Sequence, residues 1–116
     1  MPSSPPPSDL TVSLRSDDTA HVVTVEGELD LHSRDRLADM LARLPKPPMI
    51  VVLDFSGLTF IDSTGLKTLL EEHRRAREER YEFVIAGAIG PVREIFRITA
   101  FDITLPLVDD VDSVLG

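Results

Sequence analysis

The residues best equipped for chemistry are the quartet Asp62-Ser63-Thr64-Gly65. A carboxylate beside two hydroxyls can offer a proton-transfer group, a nucleophile or an attachment point for a phosphoryl group. The residues that follow, Leu66, Leu69 and Leu70, repeat on one face of a helix. The quartet therefore lies on or beside a first helical turn, where free backbone N–H groups and the helix dipole favour negative charge. Asp, Ser and Thr are also all favoured N-caps, so capping is the plainest use of the same residues.

A catalytic use finds no companions elsewhere in the chain. The serine elbow Gly-x-Ser-x-Gly is absent, and Phe60-Ile61-Asp62-Ser63-Thr64-Gly65 lacks the aspartic-protease Asp-Thr/Ser-Gly spacing. No Gly-rich phosphate loop is present. His21, His32 and His73 share no ligand spacing and read as surface or half-buried residues, not as metal ligands or bases. Glu28 and Asp30 are not read as a catalytic carboxylate pair. The sequence therefore points away from an enzyme, with no catalytic residue, no metal site and no cofactor expected.

Composition narrows the class further. With 116 residues, one domain with a single core is expected. Twelve Lys and Arg against twenty Asp and Glu give a net charge of −8. That argues against non-specific nucleic-acid binding, which needs phosphate-neutralising cations, and suits a basic or mixed protein surface. Cysteine is absent, which excludes disulfides and thiolate metal sites and fits the cytoplasm. No apolar run has the length to span a bilayer, and the N-terminus lacks the cationic-then-apolar pattern of a secretion signal, so no membrane association is expected.

The elements that must position the quartet follow from periodicity. Residues 1–8 hold four of the nine prolines and three serines, and read as a solvated, flexible arm ahead of a domain at 9–116. Leu10, Val12 and Leu14 alternate with polar residues as in a half-buried strand. Ser16-Asp17-Asp18-Thr19 is a polar turn, and residues 21–25 form a second strand in an antiparallel hairpin. Gly27-Glu28-Leu29-Asp30 ends that strand, with Gly27 marking a bend or close backbone approach. A helix over about residues 33–44 presents Leu37, Met40, Leu41 and Leu44, with Ser33 or Asp30 as its cap and Asp35 in its first turn. Pro45-Lys46-Pro47-Pro48 stops it.

The apolar run 49–53 predicts a buried strand that gives way to a short loop before the quartet. The central helix is expected from Ser63 to Glu79, with a densely charged second half in which Glu71 and Arg75 have the i,i+4 spacing of an ion pair. A charge run of this kind usually makes a solvated face, and partner recognition by that face is the sharper alternative. Phe83 to Ala86 form the next strand, and Gly90-Pro91 opens a helix with Val92, Ile95, Phe96 and Thr99 facing the core. Residues 103–105 read as a last short strand ended by Pro106, and Val108, Val111 and Leu115 as a short last helix. Strands alternating with helices imply an α/β fold: a mixed, mostly parallel sheet with an N-terminal antiparallel hairpin and about four helices.

With that order in place, the chain resembles the STAS domain of anti-sigma factor antagonists over about residues 10–115. Three segments carry the resemblance: Gly27-Glu28-Leu29-Asp30, the run from Leu53 to Leu66 (LDFSGLTFIDSTGL), and Pro91-Val92-Arg93-Glu94-Ile95-Phe96 followed by Phe101. The chain departs from many relatives in having Lys67 where a small residue follows the Gly-Leu pair. It also has Glu79-Arg80-Tyr81 where they end the central helix with glycine, so a different helix end is expected.

The resemblance implies a partner-switching cycle in which the serine after the aspartate is phosphorylated by an anti-sigma factor with serine-kinase activity. The unphosphorylated form binds that kinase and frees its sigma factor, and a PP2C-type phosphatase resets it. Carried over by position, the phosphoacceptor is Ser63, with Thr64 the lesser candidate. Asp30, Asp62, Ser63, Thr64, Gly65 and Lys67 form the partner-binding surface, on a monomer or weak dimer. The alternative is a small-ligand module, binding a nucleotide or anion at the helix N-terminus, or a scaffold within a signalling complex. Membership of an anion transporter is not expected, since no membrane segment is present and the chain ends about where the fold does.

Overall fold

In the computed structural model, which describes residues 10–45 and 50–115, the opening hairpin pairs β1 (Leu10–Ser16) with β2 (Ala20–Leu29). Its turn is shaped by Asp17, whose carboxylate accepts from the amides of Thr19 (2.7 Å) and Ala20 (2.9 Å). Those backbone hydrogen bonds hold the Asp17 carboxyl below its ordinary range. The Pro/Ser-rich arm and residues 46–49 lie outside the described residues.

The order continues with α1 (Arg34–Ala42), β3 (Ile50–Ile61), α2 (Ser63–Glu79), β4 (Glu82–Ala86), α3 (Gly90–Ile98), α4 (Phe101–Thr104), β5 (Leu107–Val108) and α5 (Asp112–Leu115). The five strands lie side by side in sequence order, antiparallel between β1 and β2 and parallel thereafter. The expected mixed sheet with one antiparallel edge is therefore present. The main core lies between one face of the sheet and α1, α2 and α3, built from residues such as Val23, Leu53, Phe55, Leu37, Leu69, Val92 and Phe96. Phe55 and Phe96 stack there with ring centroids 6.4 Å apart. A smaller cluster of Val22, Val52 and Ala86 packs under Val111 and Val114 beside α5.

Four local expectations change. Residues 103–105 are not a strand: Thr104 ends the one-turn helix α4, Ile103 is 85 % exposed, and the last strand lies beyond Pro106. The Pro106 carbonyl still serves the sheet, accepting the Ile85 amide at 2.9 Å. Thr99 faces solvent at the C-cap of α3, its hydroxyl donating to the Ile95 carbonyl at 2.6 Å. Arg75 pairs with Glu72 at 2.6 Å, one residue closer than the expected Glu71. Finally, His21 is fully buried, its Nε2 donating to the Pro45 carbonyl at 3.1 Å and its Nδ1 2.7 Å from the Ser16 hydroxyl.

The end of α2 repeats the geometry that glycine usually supplies. Arg80 takes the left-handed conformation (φ 66°) and its amide bonds to the Ala76 carbonyl. An L-residue there carries a steric cost of roughly 1–2 kcal/mol.

Candidate functional site

The site forms where the ends of β2 and β3 meet the start of α2. β3 does not stop near Asp54 to leave a loop; it continues beside β2 to Ile61. Two irregularities make this possible, one between Thr24 and Glu26 and one between Gly27 and Glu28. Each places an extra residue on β3, bends the strand and strengthens its twist. Gly27 supplies the backbone freedom at the second, with φ 103°, and its carbonyl accepts from the Thr59 hydroxyl at 3.0 Å. β3 can thus keep Phe55, Leu58 and Ile61 all buried although a spacing of three would alternate faces on a regular strand.

Beyond β2, residues Asp30 to Ser33 close into a tight turn. The Asp30 carboxylate accepts from the amides of His32 (3.0 Å) and Ser33 (3.1 Å), while the Asp30 amide donates to the Ser33 hydroxyl at 3.0 Å. That hydroxyl also lies 2.7 Å from the Glu28 carbonyl. Ser33 occupies the N-cap position of α1 without making a side-chain cap, so the capping expected of Ser33 or Asp30 is replaced by this internal network. Asp30 is buried by it, and its first task is to hold the turn.

The two segments are joined directly. The Asp62 amide donates to the Leu29 carbonyl at 3.2 Å. Asp62 is the N-cap of α2 in extended conformation, and its carboxylate accepts the Gly65 amide at 2.9 Å. Its carbonyl takes the Leu66 amide at 3.0 Å. The amides of Ser63 and Thr64 are left without intrahelical partners, as at any helix start. Gly65 is required by proximity: a Cβ there would sit 2.7 Å from the Leu29 carbonyl oxygen and 2.8 Å from Ile61 Cγ1.

Capping is therefore real, and it is performed by Asp62 alone. The Ser63 side chain is exposed, and among the described residues its hydroxyl has no hydrogen-bond partner. Thr64 is half-buried, its carbonyl accepting from the Thr68 hydroxyl at 3.0 Å. Lys67 is exposed one turn further along α2. The structure thus brings Asp30, Asp62, Ser63, Thr64 and Gly65 to one corner, with Lys67 on the helix leading away from it.

Two residues at this corner were not singled out from sequence. Leu31, directly after Asp30, is 60 % exposed, and Phe60, opposite Glu28 in the register, is 46 % exposed. Both are large apolar side chains facing water near the ends of β2 and β3. The signal for Phe60 lies in the Phe60-Ile61 pair: neighbours on a strand face opposite ways, so burying Ile61 turns Phe60 outward. Among the described residues no group of His, Cys, Asp or Glu could hold a metal ion, and no helix is long and apolar enough to cross a membrane.

A family model described as the STAS domain matches residues 11–114. The chain belongs to the STAS domain family. Among curated STAS relatives, an anti-sigma-B factor antagonist of Listeria monocytogenes is 24 % identical over 93 residues, covering 78 % of this chain and 82 % of its own. A solved anti-sigma factor antagonist from Mycobacterium paratuberculosis superposes with a TM-score of 0.81 at 30 % identity, covering 92 % of both chains. The Bacillus cell fate determinant SpoIIAA, solved in a phosphorylated form, shares the STAS fold with a TM-score of 0.60 at 17 % identity, over 89 % of this chain and 94 % of its own.

Proposed function

We propose that this STAS domain is an anti-sigma factor antagonist switched by phosphorylation of Ser63. In its unphosphorylated form it binds an anti-sigma factor with serine-kinase activity and releases the sigma factor. Phosphorylation breaks the complex, and a PP2C-type phosphatase restores binding. The observation that carries this reading is the division of labour at the start of α2. Asp62 does the capping and leaves the Ser63 hydroxyl exposed and unengaged, at the end of the sheet where Leu31 and Phe60 are also exposed.

The physics of the switch follows from that placement. A phosphoryl group adds about −1.5 to −2 charges at neutral pH. On Ser63 it would meet the unpartnered amides at the helix start, so the fold is expected to survive. The carboxylate of the adjacent Asp62 opposes it. A partner surface fitted to a bare hydroxyl and two apolar side chains would have to desolvate the new charge, at a cost of about 2–5 kcal/mol. That is sufficient to switch binding with no change of fold.

The test is the affinity of the purified anti-sigma kinase for Ser63→Ala and Ser63→Asp. Ser63→Ala is expected to bind irrespective of ATP, and Ser63→Asp to bind at least tenfold more weakly. Equal affinity for both variants, or a phosphate mapped by mass spectrometry outside Ser63 and Thr64, would overturn the proposal. A nucleotide-dependent thermal shift without phosphorylation by the kinase would instead favour the small-ligand reading.

A further inference from the structure

The charged second half of α2 reads in sequence as a solvated face, yet the structure gives it a shape. A groove of about 710 Å³ runs along α2, lined by Lys67, Leu70, His73, Arg74 and Arg77 with Glu71, Glu78 and Thr104. On a helix of 3.6 residues per turn, Lys67, Leu70, Arg74, Arg77 and His73 form one continuous flank, with Glu71 and Glu78 beyond its outer edge. The inner end of the flank is fixed by the His73 ring, packed 6.3 Å from the ring of Phe83 on β4.

The cations of this flank are not engaged by the glutamates that border it. Glu71, Arg74 and Glu78 have the spacings of helical ion pairs, but among the described residues Lys67, Arg74 and Arg77 form neither an ion pair nor a hydrogen bond. Arg75 and Arg97, by contrast, are each paired with a glutamate one turn away. The contrast is sharper against the whole molecule, whose net charge is −8. Beside an apolar stem (Leu70), the groove lining holds three cations, Lys67, Arg74 and Arg77, against two carboxylates, Glu71 and Glu78, in a chain that is acidic as a whole.

We propose that this flank is a docking surface for an acidic segment of a protein partner, running from Lys67, at the edge of the Ser63 contact, towards Arg77 and beyond it. Its occupant is a short peptide rich in Asp and Glu, in extended or helical form, whose carboxylates meet Lys67, Arg74 and Arg77 while an apolar side chain covers Leu70. Such a surface adds steering and specificity to partner choice. Lys67 lies one turn from Ser63, so the same partner can span both.

The experiment uses the full chain and a fluorescein-labelled twelve-residue peptide of alternating Glu and Leu, with anisotropy and ¹H–¹⁵N shift mapping at low ionic strength. Saturable binding is expected, with shifts concentrated between Lys67 and Glu78 and at Thr104, and with affinity falling as salt rises. Arg74→Glu/Arg77→Glu is expected to weaken binding by about tenfold or more and Arg74→Gln/Arg77→Gln by less, in line with close charge pairs at interfaces. Arg15→Glu, an exposed cation on β1, serves as the control and is expected to leave binding unchanged. Ser63→Ala should bind the peptide as the parent does, so failure of the phosphorylation reading would leave this result standing. The proposal is overturned by absence of saturable binding, by equal loss with Arg15→Glu, or by shifts lying elsewhere. A preference for a heparin oligosaccharide over the peptide overturns it too.

Discussion

Gly65→Ala is the most direct test of how α2 is held against the sheet. The added methyl would lie 2.7 Å from the Leu29 carbonyl oxygen and 2.8 Å from Ile61 Cγ1, with Leu29 Cγ at 3.0 Å. The first of these is backbone, and that carbonyl accepts the Asp62 amide at 3.2 Å, so it cannot retreat without loosening the joint between β2 and β3. Overpacking of this kind costs about 1–3 kcal/mol. Against it stands the intrinsic preference of Ala over Gly in a helix, at most about 1 kcal/mol and less in a first turn.

The net expectation is a loss of about 1–2 kcal/mol, or roughly 4–10 °C in Tm for a domain of this size. Urea titration followed by circular dichroism measures it, with Thr64→Ala, which adds no atoms, as the comparison. Relief by movement of α2 would shift Ser63 relative to Asp30, so affinity for the anti-sigma kinase proposed as its partner should fall even where the variant is folded. A Gly65→Ala protein as stable as the parent, with unchanged affinity, would refute the close approach as the reason for glycine.

Three further outcomes follow from the same geometry. Asp62→Ala removes the cap to Gly65 and should cost about 0.5–2 kcal/mol, whereas Asp62→Asn keeps an acceptor oxygen and should cost less, as chemical denaturation would show. Arg80→Gly relieves the left-handed residue ending α2, and after the greater chain entropy of glycine should still raise stability by about 0.5 kcal/mol, measured as a higher urea midpoint. Burial, opposed by the Arg75 guanidinium, raises the Glu72 carboxyl above its ordinary range, so the fold holds that proton more tightly than the unfolded chain does. That contribution is fully present below the ordinary glutamate range and lost as pH rises through the raised value. The stability of Glu72→Gln relative to the parent should therefore increase from acid towards neutral pH, and a flat difference would contradict the shift.

Much of the fold was legible because its signals are local. The run of Leu66, Leu69 and Leu70 after a cap-forming quartet places α2 at the residues it occupies, Ser63–Glu79. Gly90-Pro91 likewise marks the start of α3. The full length of β3 is not legible locally, since Ser56-Gly57 and Thr59 look like loop residues; the irregular register that lets them stay in the strand depends on β2, far away in sequence. Residues 103–105 misled for the opposite reason. Ile103 is β-branched and apolar, yet it lies in α4 facing water, and only pairing with β4 decides that the strand is Leu107–Val108. At the site, the quartet and the Gly27–Asp30 segment were each visible, but the bond from Asp62 to Leu29 that joins them is tertiary. The same is true of the exposure of Leu31 and Phe60.

The irregular register of β3 sets a rule of parity for changes in chain length. From Thr24 to Leu29 β2 advances five residues, while β3 advances seven from Asp54 to Ile61. Side chains along a strand alternate, so loss of one residue in this stretch would turn everything downstream to the opposite face. Ile61 would leave the core, and the corner bearing Asp62 and Ser63 would be presented from the wrong side of the sheet. Loss of two could straighten the strand and still deliver the corner the right way up. Insertions and deletions between Asp54 and Ser63 should therefore be accepted in even numbers and rejected in odd ones, a constraint that no single side chain in the segment reveals.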